Sequence, residues 1–104
     1  MPNRWGIPKQ LEHEIRARDT VCVYCGKAFT SPDFSTRSAA SWEHIINDAM
    51  LITKENIALC CRGCNASKGQ KAVSVWLRST YCVTRGIDDR TLAEVVKAAI
   101  IAGQ

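Results

Sequence analysis

Residues 56–69 read NIALCCRGCNASKG, an apolar run followed by three cysteines, an asparagine and a lysine in a short polar segment. The run at Ile57, Ala58 and Leu59 suits a strand, and the residues after it favour a turn and a helix start. Cys61 and Cys64 have the spacing C-x-x-C, and the same spacing recurs upstream at Cys22 and Cys25, within VCVYCGKAF. Two thiolates so spaced can reach one ion, and two such pairs complete a tetrahedral shell with Zn–S distances of about 2.3 Å. Gly26 follows the first pair and Asn65 the second, as a metal knuckle requires. The spacing therefore predicts a closed, structural zinc site whose binding free energy becomes folding free energy. The alternative is two unrelated pairs, one of them a redox dithiol, but a redox pair has no need of a second copy. Cys60 and Cys82 read as small core residues.

With 104 residues, the chain has room for one small domain, spanning 1–104, in which a metal can supplement a limited apolar core. Fourteen Lys and Arg against ten Asp and Glu give a formal charge of +4, which permits a nucleic-acid partner without demonstrating one. The first ten residues, MPNRWGIPKQ, lack the apolar core of a signal peptide, and no run reaches transmembrane length. These features predict a cytosolic protein, where disulfides are uncommon.

The other elements follow from periodicity. Residues 8–18 form a helix with proline in its first turn and Leu11 and Ile15 on one face. Residues 21–29 form a knuckle hairpin with strand character on both sides, and residues 30–41 an exposed loop. WEHII at 42–46 and NIALCC at 56–61 are strands joined by NDAMLITKE. Helix resumes from Asn65, loosened or interrupted at Gly69, with Val73, Trp76, Leu77 and Tyr81 forming a stripe. After a break at TRGIDD, residues 89–101 form a last helix, capped by Asp88 or Asp89, with Leu92, Val95, Val96, Ala99 and Ile100 facing inward.

Taken together, CVYCG, EHII and NIALCCRGCNASKG resemble the HNH endonucleases with four zinc-binding cysteines, found among phage and bacterial DNA-cutting proteins. The resemblance covers residues 22–69, leaving C-terminal helices at 70–101 outside it. It implies an α+β fold with a small ββα-metal core, the structural four-cysteine zinc site and flanking helices. Within that core, His44 resembles the general base and Glu43 an acidic ligand of a catalytic divalent ion. Asn56, twelve positions after His44, resembles the asparagine that orders the connecting loop. Asn65 resembles a second ligand of the ion, and Lys68 a basic residue near substrate phosphates. Two positions depart from the family: Glu43 stands where Asp is more usual, and Asn47 where Pro is common.

The implied chemistry is metal-dependent hydrolysis of a phosphodiester, leaving 5′-phosphate and 3′-hydroxyl ends. An imidazole titrating near 6.5 can take a proton from water at neutral pH. Oxygen ligands favour Mg2+ or Mn2+ at the second site. Neighbouring residues on a regular strand face opposite ways, so placing both Glu43 and His44 at one ion requires a local bend. Asn65 at a helix start serves equally well as a plain cap. Arg37, Arg62, Lys68 and Lys71 are the expected DNA contacts, and they hold backbone phosphate without reading bases. The expected partner is double-stranded DNA cut with little sequence preference, by a monomer or homodimer, with phage or host DNA-processing proteins as possible associates and no membrane. A non-catalytic zinc-stabilised nucleic-acid-binding module and an RNA-directed nuclease are the alternatives.

Overall fold

The apolar run at the centre of the sequence becomes a strand enclosed on both faces. In the computed structural model, which describes residues 3–103, strand β1 (Ala40–His44) pairs antiparallel with β2 (Ile57–Cys61). Their register runs from Ala40 opposite Cys61 to His44 opposite Ile57 without a bulge. The pleat sends Ile57 and Leu59 to one side, where they pack with Ile7 and Ile15 against Ala40 and Trp42. It sends Ala58 and Cys60 to the other side, into a larger cluster with Tyr24, Val73, Trp76, Cys82 and Val96. A two-stranded sheet is marginal in water by itself. Here each fully buried Ile or Leu contributes about 1.5–3 kcal/mol of apolar transfer, and the layers on both faces hold the pair together.

One layer is helix α1 (Lys9–Arg18), set on the Ile57 and Leu59 side by Ile15. The other is built from α2 (Arg62–Lys68), α3 (Val73–Trp76), α4 (Thr80–Arg85) and α5 (Glu94–Ile101). Among the described residues the fold is thus a small α+β arrangement of a two-stranded antiparallel sheet and five helices. Among the described residues, no helix is long and apolar enough to cross a membrane.

Several boundaries differ from expectation, each for a local reason. Pro8 occupies the cap of α1 in extended conformation, and the helix begins at Lys9. The segment 21–29 is a knuckle turn joined only by a bridge between Val21 and Ala28, because Cys22 N–H bonds Lys27 O and Gly26 N–H bonds Cys22 O. Strand β1 lies two residues earlier than WEHII, and Ile45 continues the pairing with one bond to Asn56 O.

The helix expected beyond Asn65 is three short ones. Gly69 (φ 53°) ends α2, and the Ser79 hydroxyl accepts from Cys82 N–H at 3.3 Å to start α4 afresh. Val73 and Trp76 are buried, and Leu77 and Tyr81 are partly so. The last helix starts at Glu94 with Ala93 as its cap, so neither Asp88 nor Asp89 has that role. Asp88 instead closes a turn, its Oδ1 accepting from Arg90 N–H at 2.9 Å, while Ala93 N–H is drawn to Val23 O.

Candidate metal centre and adjoining groove

The four cysteines named from their spacing converge. The sulfur atoms of Cys22, Cys25, Cys61 and Cys64 all lie within 4.8 Å of one another, a cluster able to hold a metal ion such as zinc. A tetrahedron with Zn–S bonds of about 2.3 Å has edges of about 3.8 Å, and the Cys25 and Cys61 sulfurs are 4.0 Å apart. The two knuckles are built alike: Cys25 N–H points at Cys22 Sγ and Cys64 N–H at Cys61 Sγ, each at 3.5 Å. The Tyr81 hydroxyl donates to Cys64 Sγ at 3.6 Å. Gly63 fits between the second pair because a Cβ there would meet Tyr81 Oη at 3.1 Å.

Crowding splits the titration of these thiols. The hydrogen bond with Cys22 draws Cys25 down to about 6. Hydrogen bonds with Cys22 and then Cys25 hold Cys61 far below the usual thiol range. Cys22 and Cys64 are pushed far above it, mainly by the hydrogen bonds in which they keep their protons, with Cys25 and Cys22 respectively. Four thiolates at this separation need a divalent cation among them, and an all-sulfur donor set suits zinc. Cys60 and Cys82 lie apart from the site, buried, with burial raising both thiols as expected of inert core cysteines.

Beside the metal centre, β1 behaves as a regular strand, and this corrects the expectation for two residues. Glu43 points inward, 5 % exposed, where its Oε2 accepts from the Tyr24 hydroxyl at 2.6 Å and lies 3.1 Å from Lys68 Nζ. Lys68 is 0 % exposed. Glu43 is therefore turned away from the face that bears His44, and Lys68 is out of reach of a phosphate backbone. No bend occurs at positions 43 and 44 to bring both side chains together. Burial, followed by the neighbouring Glu43 charge, raises the Tyr24 hydroxyl well above its ordinary range, so Tyr24 remains a donor.

His44 and Asn65 line one open groove of about 810 Å³ that follows the outer edge of β1. Arg4, Trp5, Trp42 and Arg62 line it too. His44 is half-buried, and its Nε2 is screened from solvent with no hydrogen-bond partner among the described residues. A polar atom left so costs about 1–3 kcal/mol unless a water or ligand meets it. Asn65, on α2, donates its Nδ2 to Trp42 O at 3.0 Å and Ser41 Oγ at 3.1 Å. That grip fixes the side chain and leaves Oδ1 without a partner among the described residues. It does not cap α2; Cys61 is the cap residue.

Asn56, fully buried, closes the loop between the strands. Its Oδ1 accepts from Ile46 N–H at 2.6 Å, and its Nδ2 donates to Ile46 O at 3.2 Å and Leu51 O at 3.0 Å. These bonds fix the backbone immediately after His44. Of the basic residues expected at DNA, Arg62 is exposed on the groove. Arg37 and Lys71 are exposed but outside its lining, and Lys71 Nζ bonds Ser67 O.

A hard divalent ion prefers carboxylate oxygen. Among the described residues the one carboxylate lining the groove, Glu43, is already engaged, which leaves such an ion only neutral oxygens, Asn65 Oδ1 among them. Sequence reasoning passed over Arg4, Trp5 and the Tyr24 hydroxyl. The adjacency of a cation and an indole in NRWGI was the only available signal for the first two. Comparison of the chain with protein-family models, with curated proteins and with solved structures finds no match in any of the three.

Proposed function

We propose that this protein is a metal-dependent DNA endonuclease of the HNH type, with His44 as general base. The observation that carries the reading is the unpartnered Nε2 of His44 at the wall of a groove whose free charges, Arg4 and Arg62, are both positive. A ring nitrogen without a partner can take a proton from an attacking water once the imidazole turns it into the groove, since Nε2 is screened from solvent as the ring stands. Asn56 keeps the backbone after His44 in place, and Arg62 meets a flanking phosphate. Asn65 Oδ1 would help to hold Mg2+ or Mn2+, and the ion, when bound, would offset charge on the phosphoryl oxygens. Glu43 and Lys68 support the strand from behind and have no part at the phosphate. Zinc at Cys22, Cys25, Cys61 and Cys64 is structural. The products would carry 5′-phosphate and 3′-hydroxyl ends.

The competing reading is a zinc-stabilised nucleic-acid-binding module without catalysis, favoured by the pairing of Glu43 with Lys68, which leaves the groove no free carboxylate among the described residues. A supercoiled-plasmid assay with Mg2+ or Mn2+ separates the two. The parent protein should nick the plasmid, and His44→Ala should lose nicking while keeping zinc and DNA affinity. Equal inactivity of both proteins across metals and pH favours the binding module, and equal activity removes His44 from its role. Running the assay on RNA beside DNA resolves the sugar preference.

A further inference from the structure

The segment before α1 is a locked turn. Asn3 Oδ1 accepts from Trp5 N–H at 2.9 Å and Ile7 N–H at 3.2 Å, and Gly6 N–H bonds Asn3 O at 2.9 Å. Gly6 adopts φ 77°, open to glycine at little cost, and Ile7 is fully buried against Ile15 and Ile57. The turn thus anchors Ile7 in the core while holding Trp5 out, 48 % exposed, on the wall of the groove that contains His44. The Arg4 guanidinium sits 4.6 Å from the Trp5 ring centroid.

An indole fixed in water needs a reason, because burying it would be favourable. Trp76, the largest fully buried side chain, shows what the fold does with an indole it uses for packing. What surrounds Trp5 suits a nucleic-acid strand: Arg4 beside the ring, Arg62 on the same groove, and one carboxylate already paired with Lys68. A flat aromatic flanked by cations binds single strands by stacking a base and holding the adjoining phosphates. Bases inside a duplex are stacked on one another and cannot reach such a ring, whereas unpaired ones can.

We propose that Trp5 is a base-stacking platform and that the groove takes nucleic acid with unpaired nucleotides next to the phosphate presented to His44. The inference rests on the nuclease reading for its ligand and narrows the substrate to single strands and to duplexes with gaps, flaps, frayed ends or the locally melted stretches that supercoiling produces. Trp5 is a specificity residue and takes no part in bond cleavage. Arg4 meets the phosphate beside the stacked base.

The test is binding of zinc-loaded protein to fluorescein-labelled oligothymidylate and to a blunt hairpin duplex, without Mg2+ or Mn2+. Trp5→Ala should weaken oligothymidylate binding roughly 5- to 150-fold, the range of one lost base stack, and change hairpin binding less than about twofold. Trp5→Phe keeps a stacking ring and should stay close to the parent in affinity. It should also lose the Trp5 share of the quenching that oligothymidylate causes in the parent, leaving only that of Trp42, which lines the same groove.

Unchanged oligothymidylate affinity in Trp5→Ala, or equal losses on both probes, overturns the proposal. Should Trp5→Ala lose its zinc, the Trp5→Phe comparison decides, and identical quenching in Trp5→Phe and parent is the overturning result. A protein that binds single strands through Trp5 but never cuts upholds this inference and sinks the nuclease reading. One that cuts plasmid yet ignores Trp5 does the reverse.

Discussion

The two outer edges of the sheet are treated in opposite ways. On β2 the outward backbone groups of Ile57 and Leu59 are engaged: Ile57 N–H bonds Thr53 O at 2.8 Å, Leu59 N–H bonds Asp19 Oδ2 at 3.0 Å, Leu59 O accepts from Val23 N–H at 3.2 Å, and Ile57 O accepts from Arg18 Nη2 at 2.8 Å. On β1 the alternation that makes Leu59 and Ile57 face outward does the same for their partners Trp42 and His44. There, among the described residues, only Trp42 O is taken, by Asn65, and the edge borders the groove. An exposed strand edge is a liability that proteins usually cover. One edge is left open while its counterpart is sealed, and the open one is the edge on which the proposed site lies.

That contrast can be broken at several points. The largest effect is expected at the metal centre, which joins the segments before and after the sheet. Strong chelation, or Cys61→Ser, should abolish cooperative folding, because a four-sulfur zinc site is worth about 10–16 kcal/mol. Circular dichroism with a zinc count reads this directly, and a chelated protein that keeps its melting transition would contradict it. Next, His44→Ala should reduce plasmid nicking about 10²- to 10⁴-fold. It should leave the melting temperature unchanged or higher, since it removes a polar atom that lacks a partner.

On the buried side of β1, Glu43→Gln strands Lys68 and should destabilise the fold by about 3 kcal/mol in urea. A second change, Lys68→Met, should restore most of that loss; a double variant no more stable than the single one would count against the pairing. On the sealed edge, Asp19→Ala removes the acceptor of Leu59 N–H and the partner of Arg18. It should cost about 2 kcal/mol of stability with DNA affinity unchanged. The smallest effect belongs to Arg62→Ala, which should weaken DNA binding a few-fold and lower the salt slope by about 1. An unaltered slope would take Arg62 off the phosphates.

What the sequence disclosed depended on range. The cysteine knuckles are local patterns, so spacing alone identified four cysteines whose sulfurs do converge. The strands at Trp42 and at Ile57 could be located from their apolar residues, to within two positions. The fate of Glu43 could not, although the rule that decides it was at hand: a regular pleat separates neighbours, and no bulge intervenes. The missing element was its partners, since Tyr24 and Lys68 come from segments that meet Glu43 only after folding. Lys68 in turn read as a surface cation because its burial depends on that carboxylate. The stripe from Val73 to Tyr81 suggested one helix, yet the Ser79 hydroxyl caps a new one and breaks the run. Trp5 was overlooked because an exposed indole has no periodicity to betray it.

Strand β2 has apolar neighbours above and below and bonded partners along both sides. Its amide protons can trade with deuterium only when the whole molecule opens. The Leu59 amide, bonded to a buried carboxylate, should therefore be among the slowest to exchange. Its rate would report the stability conferred by the metal, with one backbone position serving as a gauge of the entire fold.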